Sequence, residues 1–217
     1  MAKATQVKIC GIDTPATALS AVAAGTDAIG LMFAPQSARC LTLEQAAEIS
    51  AVVQGQVRRV GVFVDQDVQF VQQVLGAVEL DVLQFHGGES AEFCRQFELP
   101  YIKVLRAGQE QPPWIRQHYP DAWAWMLDTH SNAGFGGTGE TFDWSLWPVE
   151  QPGHWMLAGG LTPENVESAV LATRPWFVDV SSGVEGVRKG QKDPAKMVAF
   201  VAAVRAANAA LAAATAR

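Results

Sequence analysis

Short apolar runs alternate with longer amphipathic stretches along the whole chain, repeating about every twenty to thirty residues. Eight of the runs read as buried strands: VKIC at 7–10, AIGLMF at 28–33, RVGVFV at 59–64, VLQFH at 82–86, YIKVL at 101–105, WAWMLD at 123–128, WMLAG at 155–159 and FVDVS at 177–181. The intervening stretches carry helix starts. Thr14-Pro15, Thr42 with Gln45, Asp67, Ser90 beside Glu89, Thr162-Pro163-Glu164 and Asp193-Pro194 each set a capping oxygen ahead of an apolar face, where it can satisfy the unpaired N–H groups of a first turn. After the sixth run the pattern changes to SNAGFGGTGETFDW, a Gly-rich loop with room for only a short helix at 142–146. A loop of that length inside an alternating fold marks a working segment.

Strict strand–helix alternation implies a parallel sheet with right-handed crossovers, and eight such units in 217 residues match a closed (β/α)8 TIM barrel of the α/β class. An open doubly wound sheet is the alternative. It usually has fewer strands and a GxGxxG turn after the first, whereas here that turn is KICGIDTP. No linker or change of composition divides the chain, so one domain over 1–217 is expected.

Composition narrows the function. Apolar residues make up 49% and charged ones 18%, which excludes disorder. With 16 Lys plus Arg against 22 Asp plus Glu the net charge is −6, the wrong sign for a nucleic-acid partner, while a local site can still take a small anion. Cys10, Cys40 and Cys94 are odd in number and widely spaced, fitting neither a disulfide framework nor a zinc site and pointing to a reducing compartment. No signal peptide or run of about eighteen uninterrupted apolar residues is present, so no membrane partner and a cytoplasmic location are expected. The Ala-rich tail at 198–217 reads as a terminal packing helix.

Strand residues of a barrel alternate between its interior and the helices, and barrel active sites sit at the C-terminal strand ends. With Val7 and Ile9 facing helices, Lys8 and Cys10 point inward; the same parity sends Gln84, His86, Asp128, Asp179 and Ser181 inward. Ionisable groups buried together cost several kcal/mol unless paired, so their convergence is read as functional. Gly159 and Gly160 after the seventh strand, and Ser181, Ser182 and Gly183 after the eighth, form adjacent loops able to present N–H groups to phosphate, with Asp179 grouped in the same corner.

Read together, KICGI at 8–12, FAPQSAR at 33–39, GVFVD at 61–65, LQFHG at 83–87, LDT at 127–129, GGTGETFDW at 136–144, LAGGLTPENV at 157–166 and VDVSSGVE at 178–185 resemble the phosphoribosylanthranilate isomerase family of tryptophan biosynthesis. That resemblance implies a (β/α)8 barrel performing an Amadori rearrangement of a phosphorylated aminosugar by general acid–base catalysis, without cofactor or metal. It implies Cys10 as base and Asp128 as acid; those roles call for a lowered thiol, helped by a cation such as Lys8 or by helix and loop dipoles, and a raised carboxyl, through burial or a neighbouring carboxylate such as Asp179. It further implies Arg39 as receptor for the anthranilate carboxylate, His86 as substrate-orienting or structural, and Gly136 and Gly137 in a loop closing over substrate. A monomer or homodimer is expected. Cys40 and Cys94 are read as packing residues, and the extra basic residues that precede Lys192-Asp193 in GVRKGQKD as standing apart from the chemistry. Two other readings remain at this stage: a neighbouring sugar-phosphate or indole-forming enzyme, and a barrel that binds a phosphorylated metabolite without turnover.

Overall fold

All eight apolar runs form strands, and each lies parallel to its neighbours in chain order. The computed structural model describes residues 4–106, 112–128, 147 and 153–215. Its elements run β1 (Gln6–Cys10), α1 (Pro15–Ala24), β2 (Ala28–Met32), α2 (Leu43–Val52), β3 (Arg58–Phe63), α3 (Val68–Ala77), β4 (Val82–Phe85), α4 (Ala91–Cys94), β5 (Tyr101–Arg106), α5 (Pro112–His118), β6 (Ala124–Asp128), β7 (Trp155–Ala158), α6 (Val166–Thr173), β8 (Phe177–Val180), a 3-10 turn (Ser182–Val184) and α7 (Pro194–Thr215). β8 pairs back onto β1, with Lys8 beside Asp179, and closes the barrel.

Side chains supply most of the element boundaries. The oxygens of Thr14, Thr42, Asp67 and Ser90 each accept from the backbone three residues on, and Thr42 and Gln45 complete a reciprocal capping box. Asp193 Oδ1 accepts from the N–H groups of Ala195 and Lys196 at the start of α7. α6 departs from expectation by starting after Asn165 rather than after Thr162. The Asn165 side chain takes the Thr162 N–H and donates to the Gly160 carbonyl, holding 162–165 as a turn. The expected short helix at 142–146 lies outside the described residues.

Parity divides the apolar residues into two layers. Ala28, Val60, Val82, Ile102, Val104, Ala124, Met126, Met156, Ala158 and Phe177 fill the barrel interior. Val7, Ile9, Leu83, Phe85, Trp125, Leu127, Val178 and Val180 belong instead to the layer between sheet and helices, as the alternation predicts. At the strands' N-terminal ends Trp123 meets Trp176 edge-on at 4.7 Å between centroids, and His154 stacks on Trp176 at 4.0 Å. This ring cluster accounts for two of the seven tryptophans as packing.

By length and composition α7 is apolar enough to cross a membrane. It lies on the barrel instead, burying the stripe Met197, Phe200, Val201, Val204 and Ala207 at helical spacing. Asn208 clasps the first strand's approach, accepting from the Thr5 N–H and donating to the Thr5 carbonyl.

Candidate active site

β1 ends with Cys10 aimed into the barrel mouth, and its neighbour on β2 is Gly30. A Cβ at Gly30 would fall 2.7 Å from Cys10 Sγ, so glycine makes the space in which the thiol sits. Two residues earlier, Lys8 is fully buried and its Nζ lies 2.9 Å from Asp179 Oδ1 across the closing seam. Burial pulls the Lys8 ammonium down, but Asp179 and Cys10 outweigh it and hold Lys8 above its ordinary value. Burial pushes the Cys10 thiol up, and Asp179 pushes the same way; Lys8 and Lys192 pull it down without overcoming that. Lys8 thus acts on the thiol in the expected direction, but burial outweighs it. Desolvation of the thiolate dominates a site this enclosed.

Asp128 stands at the end of β6, and His86, following β4, reaches it with Nε2 3.1 Å from Oδ2. His86 is itself fixed from below. Its N–H donates to the Phe63 carbonyl, and the loop after it is organised by the buried Glu89, whose Oε1 accepts from Asp65 N–H and Oε2 from Gly87 N–H. Lys103 from β5 donates to both the Gly87 carbonyl and Glu89 Oε2, at 2.7 and 2.8 Å. Glu89 and Lys103 were not among the sequence candidates. A lysine inside the otherwise apolar run YIKVL was the available signal.

The loops after β7 and β8 meet between the ends of β6 and β1. Gly159 and Gly160 both take positive φ, 90° and 63°, backbone that favours glycine. A Cβ on Gly183 would come 1.9 Å from the Leu161 carbonyl oxygen, so the two loops touch through bare backbone. Among the described residues, the N–H groups of Gly160, Ser182 and Gly183 have no backbone acceptor. Asp179, grouped with this corner from sequence, is turned to Lys8 instead, and its negative charge suits that partner rather than a phosphate.

Arg39, beyond β2, crosses to this corner and pairs through Nε with Glu185 Oε1. The same oxygen accepts from Lys192 Nζ at 3.0 Å, while Lys192 also donates to the Ser181 carbonyl and hydroxyl at 3.0 and 3.2 Å. Burial favours the neutral acid at Glu185, but Arg39, the Gly190 N–H and Lys192 together hold its carboxyl down to about 2. Lys192 is lowered by burial despite Glu185. Lys192, near the end of GVRKGQKD, was not among the sequence candidates; it is buried within the site and its charge acts on Cys10. Gly136 and Gly137 lie outside the described residues. Among those described, no group of three or more His, Cys, Asp or Glu side chains could hold a metal ion, and all three cysteines are free.

A closed parallel eight-stranded barrel with polar side chains gathered at the C-terminal strand ends defines a (β/α)8 protein of the TIM-barrel class. The family follows from the rest of the chain. A family model for N-(5'phosphoribosyl)anthranilate (PRA) isomerase matches residues 7–203, and the chain belongs to that family. An N-(5'-phosphoribosyl)anthranilate isomerase of Pseudomonas fluorescens (strain Pf-5) is 49% identical over 207 residues, covering 94% of this chain and 98% of the relative. The crystal structure of phosphoribosyl anthranilate isomerase from Thermotoga maritima superposes with a TM-score of 0.85 at 38% identity, covering 93% of this chain and 99% of that one. A further isomerase structure, in complex with reduced 1-(o-carboxyphenylamino)-1-deoxyribulose 5-phosphate, gives a TM-score of 0.80 at 35% identity with the same two coverages.

Proposed function

We propose that this chain converts N-(5'-phosphoribosyl)anthranilate into 1-(2-carboxyphenylamino)-1-deoxyribulose 5-phosphate, with Asp128 as general acid and Cys10 as general base. The observation that carries the assignment is the inward parity of these two side chains at the ends of β1 and β6. Asp128 gives its proton to the furanose ring oxygen as the C1–O bond breaks, and the nitrogen lone pair forms a cationic Schiff base. That cation acidifies the C2 proton, which the Cys10 sulfur removes. The electron pair left at C2 becomes the C1=C2 bond of an enolamine; protonation at C1 and loss of the enol proton then give the ketone.

Each neighbour has a task in this scheme. Lys8 and Lys192 oppose the burial that disfavours the thiolate, and Asp179 keeps Lys8 in place. His86 orients Asp128. Arg39 receives the anthranilate carboxylate on its guanidinium. The N–H groups of Gly160, Ser182 and Gly183 receive the phosphate, with Ser181 held beside them by Lys192.

The test follows the fluorescence of the substrate's aminobenzoate group, with substrate generated in situ from anthranilate and phosphoribosyl pyrophosphate by the upstream transferase. Protein-dependent decay is expected. Cys10→Ala and Asp128→Asn should each lower kcat by about 10²- to 10⁴-fold, the range of a lost general acid or base. A folded Cys10→Ala protein keeping most of the parent kcat would remove Cys10 from the mechanism, and no decay from the parent would remove the reaction itself.

A further inference from the structure

Glu185 gathers two cations of the site onto one carboxylate oxygen, and those cations lead to opposite ends of the substrate. Towards one end lies Arg39, whose Nε is held by Glu185 Oε1; among the described residues its two terminal nitrogens have no acceptor, so the outer fork is left for a carboxylate. Towards the other lies Lys192, its side chain fully buried, which reaches from Glu185 to the carbonyl and hydroxyl of Ser181. Ser181 opens the Ser181-Ser182-Gly183 corner proposed above as the phosphate site. Neither Glu185 nor Lys192 touches the reacting atoms in the scheme above.

We infer that Glu185 is a positioning residue that sets both ends of the substrate site at once, fixing the guanidinium of Arg39 and, through Lys192, the phosphate corner at Ser181. The inference rests on the reading that Arg39 takes the substrate carboxylate. Its physical basis is burial. The Glu185 and Arg39 side chains are only 7% and 17% exposed and that of Lys192 is fully covered, so the charges are weakly screened and losing the carboxylate strands a buried cation. The segment around it is fixed independently: Lys196 Nζ donates to the Glu185 carbonyl at 2.7 Å, and the Gly186 N–H to the Gln191 carbonyl. The carboxylate is thereby set on a rigid turn.

The experiment compares the parent with Glu185→Gln, which keeps the side chain's shape and an acceptor oxygen but removes its charge. KM and kcat for the aminosugar are measured together with the inhibition constant of inorganic phosphate as a competitive inhibitor. The expected result is a rise in KM of about ten-fold, a rise of about five-fold in the phosphate inhibition constant and a kcat within about three-fold of the parent, since uniform binding rather than chemistry is lost. A KM within two-fold of the parent overturns the inference, as does a raised KM with unchanged phosphate inhibition. Arg39→Ala is run in parallel. An unchanged KM there sinks the carboxylate reading, whereas a raised KM there with an unaffected Glu185→Gln sinks the positioning role alone. If Glu185→Gln does not fold, Glu185→Asp decides: it retains the charge on a shorter arm, and unaltered KM and phosphate inhibition in that variant overturn the inference.

Discussion

Cys10 is a thiol whose surroundings work against its own ionisation. Burial and Asp179 favour the neutral form more than Lys8 and Lys192 favour the thiolate, so in the free protein the base accumulates only as pH climbs past the ordinary thiol range of about 8.5. The kcat/KM for the aminosugar should therefore keep rising with pH through neutrality and beyond that range, because this ratio reports groups of the free enzyme. A profile flat from pH 7 upward would show that Cys10 is not the titrating base. Which residues line the mouth was readable beforehand because parity is local: Lys8 and Cys10, or Met126 and Asp128, need only the period of two. The sign of the thiol's shift was not, since it depends on how completely seven other strands and their loops enclose it. Glu185 and Arg39 stand 146 positions apart, and no spacing in the sequence brings them together.

Helix caps form between neighbours, and at that scale the sequence is a good guide: Thr14, Thr42 with Gln45, Asp67 and Ser90 all cap where a short polar residue precedes an apolar face. α6 shows the limit. Its first turn is delayed because Asn165 spends its side chain on Thr162 and Gly160, a competition decided by the glycine turn before it. That turn is also where two loops are pressed together. Gly183→Ala would drive a methyl into the Leu161 carbonyl, which cannot swing aside as a side chain would. We expect a stability loss of about 1–3 kcal/mol, as for other overpacked sites, visible as a lower Tm, and a raised KM because the phosphate-facing N–H groups are displaced. Unaltered Tm and KM would mean that the loops separate freely.

For the molecule as a whole, the alternation of runs together with the missing GxGxxG turn correctly favours a closed barrel over an open sheet. The same enclosure makes part of its acid sensitivity traceable to Glu185. Glu185 has its carboxyl lowered from 4.5 to about 2, so the folded state prefers the ionised form. Its contribution is fully present above about pH 5 and is lost as pH falls through the interval from 4.5 to about 2. The stability gap between the parent and Glu185→Gln should accordingly shrink across that interval, as followed by denaturant unfolding at successive pH values. A gap as wide at pH 3 as at pH 6 would assign the acid sensitivity to other carboxylates.

The seam between β1 and β8 also has a meaning in time. Gln6 through Ile9 have their partners at 177–180, so while the chain is being synthesised the first strand has an unpaired edge, and Lys8 lacks Asp179 until 171 further residues have been made. Neighbouring strands can pair as they are made, but this junction waits for β8, as contacts of large sequence separation do. A nascent chain that stops before β8 therefore holds an open edge able to pair with another copy, and ring closure and completion of the Lys8–Asp179 pair beside Cys10 are one late event.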